Sequence, residues 1–388
     1  MGARIYLLSG GSGSGKTALL NMILSDPLLN AASPPKYSNR RKRNKADDII
    51  TVSERDFNKD EYTFVYAMNN NIYAYKAGDI IEILKKGKNV FLIISDLRLI
   101  DDVKKYFGSY VSVLYVFRNM TEQELKKILL KREKDNNEKK DRVQIEAEKR
   151  IRINRLYLIQ RQYIENITLF DHVILNRTQK TEEMLTQVKH LLQGYEKGHT
   201  NLKPRGPVIF LIAAASGAGK RTLTDAMYTL GKKSIKVVEK ATDRAEQEDD
   251  GPEIITNKEI NNSVYDISYE FNGNMYGFKS TVIWDNLKEG HPQILITNMD
   301  NFSQFKEKFG KAAISVYLHA TRTKSQIYKW QISKLKSRSK ALQKVKKMEV
   351  IHQGYIDNIC DFNHVLLNTV GKEDLWEQMF RLIKFYQP

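Results

Sequence analysis

Short apolar runs alternate with longer polar, helix-like stretches along the 388-residue chain, and the alternation is repeated in its second half. Residues 89–94 and 110–117 are almost continuously apolar, as are residues 293–297 and 313–319 further along. Runs of this kind are typical of strands buried on both faces of a parallel sheet. Because such strands alternate with helical stretches, the pattern predicts an α/β fold with one helix-flanked parallel sheet in each half.

The two halves also align with each other, position by position. Lys16 and Lys220 are 204 positions apart, and so are Arg40 and Arg244. The spacing falls to 192 near the end of each half, where FDHVILN at residues 170–176 matches FNHVLLN in the second half. The repeat predicts a duplicated domain rather than an array of small repeats, with a deletion in the second copy after its central strands.

The segment between the halves has the composition of a linker. Residues 194–206 are polar and contain both Gly and Pro, which places the seam there. The predicted organisation is a first domain over residues 1–198, a linker over residues 199–206 and a second domain over residues 207–388. Each domain is long enough to bury its own core.

A glycine-rich loop follows the first apolar run. Its sequence, GGSGSGKT, satisfies the phosphate-binding pattern G-x-x-x-x-G-K-[ST] in full, between a strand-like run and a helix-like stretch. Glycines let successive backbone N–H groups turn towards a phosphate, and the following helix directs its positive end at the same anion. The predicted phosphate-binding residues are Gly10, Ser12, Gly13, Ser14, Gly15, Lys16 and Thr17.

A second loop of the same kind, AASGAGKRT, occupies the corresponding place in the second half. It has Ala214 in place of the first glycine and Arg221 where Ser or Thr is expected. Arg221 cannot bind Mg²⁺, although Thr222 can take that place or Arg221 can itself offset phosphate charge. The predicted ligand-binding residues are Ser216, Gly217, Ala218, Gly219, Lys220, Arg221 and Thr222. We therefore expect weak nucleotide binding, or a structural or regulatory role, in the second half.

The two loops predict ATP and Mg²⁺ as ligands. In this motif the lysine, Lys16, contacts the β- and γ-phosphates and is a predicted catalytic residue, while the hydroxyl of Thr17 binds Mg²⁺. Asp96, just after the apolar run at residues 89–94, has two interpretations. It either organises water on the magnesium ion or caps the following helix.

The charged stretch at residues 122–161 also has two interpretations. A solvated helix with ion pairs four positions apart accounts for most of its residues. The alternative is a lid that brings arginines to a transferring phosphoryl group, a role worth about 10³–10⁵ in rate. Arg132 and Arg155 are the predicted catalytic arginines.

The basic run at residues 36–45 has three interpretations: an anion-binding cluster beside the first loop, a solvated loop, and a localisation signal or nucleic-acid patch. Arg40 recurs as Arg244 at the same distance from its loop lysine, whereas Arg43 faces Gln247 in the second half. The recurrence favours an anion-binding role for Arg40.

The formal charge of +17 fits either nucleic acid or anionic small molecules. The chain has no RRM, KH or zinc-binding pattern, and its basic runs lack interleaved aromatic residues, so nucleic acid is the less favoured partner. The single cysteine, Cys360, fits a reducing compartment. No segment resembles a signal peptide or is long enough to span a bilayer, so we expect a cytoplasmic protein without a membrane partner. The pattern makes no prediction about oligomeric state.

With these motifs in order, each half resembles the guanylate-kinase-like branch of the P-loop kinases. SNRRKRNKADD is similar to that family's segment T-T-R-P-P-R-x-G-E, which implies that Arg40 and Arg43 bind the acceptor phosphate, and Arg244 repeats the first of them. NIYA in the first half and GNMYG in the second are similar to the family's motif G-N-Y-Y-G. Its second tyrosine, matched by Tyr73 and Tyr276, also contacts the acceptor phosphate. The resemblance covers nearly the whole chain, once per half, and implies a lid and an acceptor-binding insertion in each domain.

The departures from that family bear on the substrate. The glutamate that recognises guanine is replaced by Phe64 and Ile267, and a tyrosine early in the acceptor segment has Val52 nearest to it. DDIITVSERDF followed by FVYAMNNNIYAY is more similar to the ribose 1,5-bisphosphate phosphokinase subgroup, which accepts a sugar phosphate. The resemblance therefore implies a small phosphorylated acceptor, a nucleoside monophosphate or a sugar phosphate, with a non-guanine acceptor favoured.

The favoured hypothesis is ATP-dependent phosphoryl transfer by the first domain, with a degenerate second domain. A second hypothesis is a non-catalytic nucleotide sensor or interaction scaffold, which the missing base-recognition residues and the altered second loop support. A third hypothesis is a nucleic-acid-associated kinase or NTPase, which rests on the positive charge alone.

Overall fold

A computed structural model of the chain describes residues 2–11, 13–40, 42, 49–53, 56–68, 70–119, 150, 154, 158, 161–177, 181–199, 203–230, 235–246, 251–256, 260–261, 263–271, 273–321, 324–369 and 372–387. The chain divides into two compact units, Met1–His199 and Thr200–Pro388. Each unit has its own central sheet and its own small second sheet.

The central sheet of the first unit is parallel, with strand order β2-β7-β1-β8-β9. The strands of this unit are β1 (Ile5–Gly10), β2 (Ala31–Ala32), β3 (Lys36–Ser38), β4 (Ile49–Thr51), β5 (Phe64–Met68), β6 (Asn71–Tyr75), β7 (Asn89–Ile93), β8 (Val111–Phe117) and β9 (His172–Leu175). Its described helices are α1 (Lys16–Ser25), α2 (Ala77–Lys85), α3 (Arg98–Phe107) and α4 (Thr181–Glu196). This arrangement confirms the predicted α/β class for the first half.

Burial explains why these residues form strands and helices. Every residue of β8 is buried, as expected for a central strand covered on both faces. Helix α3 buries Leu99, Ile100 and Val103, which lie on one side of the helix, and exposes Arg98, Asp101, Asp102 and Lys105. It ends where Gly108 takes a φ of 60°, a conformation that favours glycine.

The small sheet of the first unit has the order β4-β3-β6-β5. Strands β5 and β6 form an antiparallel hairpin, and β3 pairs in parallel with β4 and antiparallel with β6. The hairpin turn includes Asn70 at a φ of 57°, which asparagine tolerates better than most residues. The end of β3 is tied to the hairpin, because Asn39 Oδ1 accepts a 2.8 Å hydrogen bond from the backbone N–H of Ile72.

The second unit repeats both sheets, as β11-β16-β10-β17-β18 and β13-β12-β15-β14. Its strands are β10 (Ile209–Ala214), β11 (Lys236–Val237), β12 (Lys240–Thr242), β13 (Ile254–Thr256), β14 (Ile267–Phe271), β15 (Asn274–Phe278), β16 (Gln293–Thr297), β17 (Ala313–Ala320) and β18 (His364–Asn368). Its described helices are α5 (Lys220–Leu230), α6 (Ser280–Lys288), α7 (Phe302–Phe309), α8 (Lys324–Leu335), α9 (Arg338–Asp357) and α10 (Lys372–Tyr386). The central sheet is again parallel throughout, which confirms the α/β class for this half.

A buried histidine–tyrosine pair recurs in the two cores. His172 Nε2 lies 2.9 Å from the hydroxyl of Tyr195, and His364 Nε2 lies 2.8 Å from the hydroxyl of Tyr386. Each pair joins the last strand of its central sheet to the helix that follows it. The two units therefore share this polar side-chain contact as well as the order of their strands.

The helix after β9 extends into the predicted seam. Helix α4 runs to Glu196, so the first three residues of the segment 194–206 are helical, and the predicted linker over residues 199–206 begins after this helix. The physical reason is the burial of Tyr195, whose hydroxyl also accepts a 3.1 Å hydrogen bond from Ser112. Over the described part of the chain, no helix combines the length and apolar character that a bilayer crossing requires.

Candidate functional site

The first glycine-rich loop connects β1 to α1 and has the backbone of a phosphate cradle. Gly10, Gly13 and Gly15 have φ values of 140°, 82° and 104°, which residues with side chains rarely adopt. Lys16 begins α1, and its Nζ donates hydrogen bonds of 2.7 Å to the Gly10 carbonyl oxygen and 2.8 Å to that of Gly11. The loop lysine thus lies folded over the loop, and its role towards a phosphate stays a prediction.

Asn176, which directly follows β9, braces this loop. Its Nδ2 donates a 2.6 Å hydrogen bond to the carbonyl oxygen of Ser14, and both residues are buried. A Cβ on Gly15 would lie only 2.6 Å from that Nδ2, so the brace requires glycine there. Arg118 adds a longer contact of 3.5 Å from Nη1 to the Gly13 carbonyl oxygen. Neither Asn176 nor Arg118 was among the predicted site residues, although an asparagine ends both copies of the repeated strand motif.

The second loop has the same construction. Gly217 and Gly219 have φ values of 82° and 107°, and Lys220 Nζ donates hydrogen bonds of 2.8 Å and 2.9 Å to the carbonyl oxygens of Ala214 and Ala215. Asn368 again braces the loop, with its Nδ2 2.7 Å from the carbonyl oxygen of Ala218.

The backbone conformation of the two loops differs at their first residue, which is Gly10 in the first loop and Ala214 in the second. A Cβ on Gly10 would approach the Val116 carbonyl oxygen to 2.4 Å, and Gly10 has a positive φ. Ala214 does not have a positive φ. The second loop therefore begins in a conformation that tolerates alanine.

Arg221, at the position where Thr17 offers a hydroxyl, is held along its own helix. Its Nε lies 2.8 Å from Oδ1 of Asp225, one helical turn further on. Its guanidinium also approaches Gly251, where a Cβ would lie 2.3 Å from Nη1. The charge of Arg221 is therefore partly balanced by Asp225. The expectation that this residue offsets phosphate charge, and that Thr222 binds in its place, stays a prediction.

Two further lysines lie near the second loop. Burial above all, and then the positive charges of Lys240 and Lys344, lower the pKa of Lys220 to about 8. Lys240 is the first residue of β12, and Lys344 lies on α9. The small sheet and a long helix thus bring cations to the loop lysine.

A lysine lies on the tyrosines of each small sheet. Lys36 is buried, and its Nζ lies 5.2 Å from the ring centroid of Tyr73 and 5.9 Å from those of Tyr66 and Tyr75. Cation–π attraction stabilises a charge held in this way. Lys240 Nζ lies likewise 5.3 Å from the ring of Tyr276. The predicted Tyr73 and Tyr276 are therefore buried partners of a lysine that was not predicted. The signal was available, since Lys36 and Lys240 are also 204 positions apart.

The repeated arginines Arg40 and Arg244 follow β3 and β12 at equivalent places. The backbone N–H of Arg40 donates a 3.1 Å hydrogen bond to Ser38 Oγ, and that of Arg244 donates a 3.3 Å bond to Thr242 Oγ1. The side chain of Arg244 contacts the next carbonyl oxygen, with Nη1 3.1 Å from the oxygen of Ala245. Hydroxyl residues therefore fix the backbone at both arginines, while their role towards an acceptor stays a prediction.

Asp96 is paired with Arg98. Its Oδ2 lies 2.6 Å from Nη2 of Arg98, and its Oδ1 accepts a 3.0 Å hydrogen bond from the backbone N–H of the same residue. The side-chain hydrogen bond from Arg98 holds the pKa of the Asp96 carboxyl below its usual value. Asp96 lies one residue before Leu97, which is the N-cap of α3, and both interpretations of Asp96 stay predictions.

The residues around the first loop offer few ligands for a magnesium ion. Over the described residues, no group of three or more His, Cys, Asp and Glu side chains is arranged to hold a metal ion. Thr17 is exposed in the first turn of α1 and offers one hydroxyl. One protein hydroxyl beside a phosphate cradle fits Mg²⁺, which keeps several waters and takes its other ligands from substrate phosphates.

Some predicted residues lie outside the described part of the chain. These are Ser12 of the first loop and Arg43, Arg132 and Arg155. In the second loop, Ser216 and Thr222 are partly exposed and Ala218 is buried. The first loop, with Lys16 and Thr17 at the start of α1, is the most complete candidate site.

Comparison with known proteins gives similarity to solved structures only. No family model matches the chain, and no curated protein matches its sequence. Among solved structures, the chain is similar to the guanylate kinase from Anaplasma phagocytophilum, with 16% sequence identity over 50% of this chain and 86% of that chain, and a TM-score of 0.36. A score of that size carries no argument about residues or activity. The class of the protein therefore follows from its own geometry, an α/β chain with helix-flanked parallel sheets and two glycine-rich strand–loop–helix turns.

Proposed function

We propose that the first unit is an ATP-dependent kinase that transfers the γ-phosphoryl group to a small phosphorylated acceptor, and that the second unit is structural or regulatory. The observation that carries the proposal is the complete first loop. Three glycines of positive φ precede α1, and Lys16 is held over the loop by two backbone carbonyl oxygens. In this proposal the two units are copies of one guanylate-kinase-like P-loop domain.

The electrostatics of the first loop suit a phosphate chain. Backbone N–H groups at the start of α1 and the Lys16 ammonium favour negative charge at the same point. The brace from Asn176 to the Ser14 carbonyl oxygen holds the loop before any ligand arrives. Preorganised donors of this kind stabilise developing charge without a reorganisation cost during the reaction.

The acceptor site is proposed on the small sheet. Two residues supply positive charge for an acceptor phosphate. They are Lys36, which lies against tyrosine rings, and Arg40, which follows β3. Cation–π contacts of the Lys36 ammonium with the rings of Tyr66, Tyr73 and Tyr75 hold the cation on this sheet. The class of acceptor is a nucleoside monophosphate or a sugar phosphate.

In the proposed transfer, an oxygen of the acceptor phosphate forms a bond to the γ-phosphorus while the bond from that phosphorus to the β-phosphate oxygen breaks, and ADP leaves. Lys16 neutralises charge on the phosphates, and Thr17 and the loop amides orient the donor. The hydroxyl of Thr17 would hold Mg²⁺, which would supply positive charge to the donor phosphates. The proposed lid arginines, Arg132 and Arg155, complete the site in this scheme.

The test is a phosphoryl-transfer assay with Mg-ATP against nucleoside and deoxynucleoside monophosphates, ribose 1,5-bisphosphate and 5′-hydroxyl oligonucleotides. We expect Lys16→Ala to lower turnover by about 10³ or more, because it removes the charge at the transferring group. Lys220→Ala is the matched control and keeps transfer. If Lys16→Ala keeps the turnover of the wild type, the first unit is not the kinase.

Two other outcomes identify the rival functions. ATP binding without transfer to any acceptor identifies a nucleotide sensor or scaffold. Transfer to oligonucleotides, with binding that weakens steeply as salt is raised, identifies a nucleic-acid-associated kinase.

A further inference from the structure

We infer that helices α8 and α9 of the second unit form a surface that binds double-stranded DNA through the phosphates of both strands. This surface, the basic hairpin, consists of the exposed side chains of the two helices and of the turn that joins them, residues 325–347. The inference is independent of the function proposed for the first unit, because the surface includes neither glycine-rich loop.

The charge of the basic hairpin is of one sign. Residues 321–348 contain ten basic residues and no Asp or Glu. The corresponding charged stretch of the first half, residues 122–161, mixes thirteen basic with eight acidic residues. Ion pairs four positions apart, which account for most of the first stretch, therefore cannot form within the second. A surface with this composition is complementary to a polyanion.

The structure exposes these cations. Helices α8 and α9 pack against each other, and Lys336, at a φ of 49°, lies in the turn between them. Eight basic side chains are exposed: Lys329, Lys334, Lys336, Arg338, Lys340, Lys344, Lys346 and Lys347. Among the first ten residues of α9, Ala341 alone is buried. This end of α9 is therefore accessible over most of its circumference.

The exposed side chains of α9 form two adjacent rows, each with spacings of four and three residues, which place side chains on one side of a helix. The first row is basic throughout: Lys340, Lys344 and Lys347. The second row combines two neutral hydrogen-bonding side chains with a cation: Ser339, Gln343 and Lys346. Like charges four positions apart destabilise a helix, so an anion that binds along the first row stabilises it.

Duplex DNA is the polyanion that suits this shape. A helix with its side chains is about 10–12 Å across, and the major groove of B-DNA is about 12 Å wide. Cations in two rows along such a helix reach the phosphates beside the groove, and neutral polar side chains between them reach base edges. The major groove of duplex RNA is too narrow to admit side chains in this way.

The basic hairpin is less suited to the other polyanions. A membrane-binding helix needs a continuous apolar face, whereas Leu342 is the one exposed large apolar side chain among residues 338–347. Single-stranded nucleic acid is bound by stacking of its bases on aromatic rings. The tryptophan of the hairpin, Trp330, lies against the second loop, since a Cβ on Gly217 would be 2.9 Å from its ring.

The experiment measures binding of the full chain to a labelled DNA duplex by fluorescence anisotropy, without ATP. Each phosphate contact contributes about −0.9 to the slope of log affinity against log salt concentration. If the basic hairpin contacts about six phosphates, affinity should fall about 10³-fold between 50 mM and 200 mM salt. A duplex that does not bind at the lower salt concentration overturns the inference.

Two double variants that remove the same charge separate this surface from the general charge of the chain. Lys340→Gln with Lys346→Gln takes one cation from each row, and we expect a slope less steep by about 2 and affinity about tenfold lower. Lys372→Gln with Lys384→Gln, both exposed on α10, is the matched control and leaves the slope unchanged. Equal effects of the two double variants overturn the inference.

Three competitors test the identity of the partner: duplex RNA, single-stranded DNA of the same sequence, and vesicles that contain phosphatidylserine. We expect each to bind more weakly than the DNA duplex. Equal or tighter binding of any one of them overturns the assignment to duplex DNA. The urea midpoint of both double variants should equal that of the wild type, because all four lysines are exposed, so a loss of binding then reports the surface itself.

Discussion

Gly219→Ala tests how closely the second loop is held against the strand beside it. Gly219 has a φ of 107°, and an alanine Cβ there would lie 2.4 Å from Nδ2 of Asn368. That Nδ2 donates the 2.7 Å hydrogen bond to the Ala218 carbonyl oxygen. The added methyl group therefore has to displace the brace of the loop.

The cost has two parts. A residue other than glycine in so unfavourable a backbone conformation costs about 1–3 kcal/mol. Loss of the Asn368 bond leaves a donor and an acceptor in a partly buried place without their partners, which costs about 1–3 kcal/mol more. We therefore expect the free energy of unfolding of the second unit to fall by about 4 kcal/mol.

Urea unfolding followed by tryptophan emission measures this loss, because all three tryptophans belong to the second unit. Gly290→Ala is the matched control: its φ is 85°, and no atom lies within 4 Å of its ideal Cβ. It retains the backbone strain without the clash, so it should cost only about 1–3 kcal/mol. Equal losses in Gly219→Ala and Gly290→Ala would refute the argument that the asparagine brace holds the loop.

Three further predictions concern other parts of the chain. Gln378→Leu should cost about 2–4 kcal/mol in the same urea assay, because the Gln378 amide makes hydrogen bonds of 2.8 Å and 2.9 Å to the backbone of Leu367; a loss below 1 kcal/mol contradicts this. Burial opposes ionisation of Asp266, but hydrogen bonds from Lys308 and from Ser280 at the start of α6 outweigh it and lower the pKa of Asp266 to about 2. This stabilisation is present above about pH 4 and is lost as pH falls towards 2, so the difference in Tm between wild type and Asp266→Asn should vanish over that interval, and a constant difference argues against it. If the first unit is the proposed kinase, Lys36→Met should raise the KM for the acceptor about tenfold with the KM for ATP unchanged, and equal changes in both contradict an acceptor role.

The central sheets were predictable because their strands are buried on both faces. The apolar run at residues 293–297 coincides with β16, and the run at residues 89–94 exceeds β7 by one residue. Burial on both faces removes polar residues from such strands, so a single sequence reveals them. Only self-comparison of the halves indicated that the two sheets would share one strand order.

The braces of the two loops were not predictable in the same way. Asn176 and Ser14 are 162 positions apart in the sequence, and a hydrogen bond between residues so far apart leaves no periodic pattern in the sequence. Lys36 is a similar case, since its burial on tyrosine rings depends on how β3 pairs with the hairpin. Both residues do recur at matching positions in the two halves, and this recurrence is the feature of the sequence that indicates them. The same kind of recurrence predicted a role for Arg40.

The second loop keeps the backbone of the first although the residue after its lysine differs. Gly217 and Gly219 have positive φ, as Gly13 and Gly15 have, and the Asn368 brace matches the brace from Asn176. Position 221 lies in the first turn of α5, beyond these glycines and beyond the contact of the asparagine with Ala218. The guanidinium of Arg221 is bound to Asp225 on its own helix. The exchange of a hydroxyl for a guanidinium at this position therefore changes a side chain and leaves the conformation of these glycines as it is in the first unit.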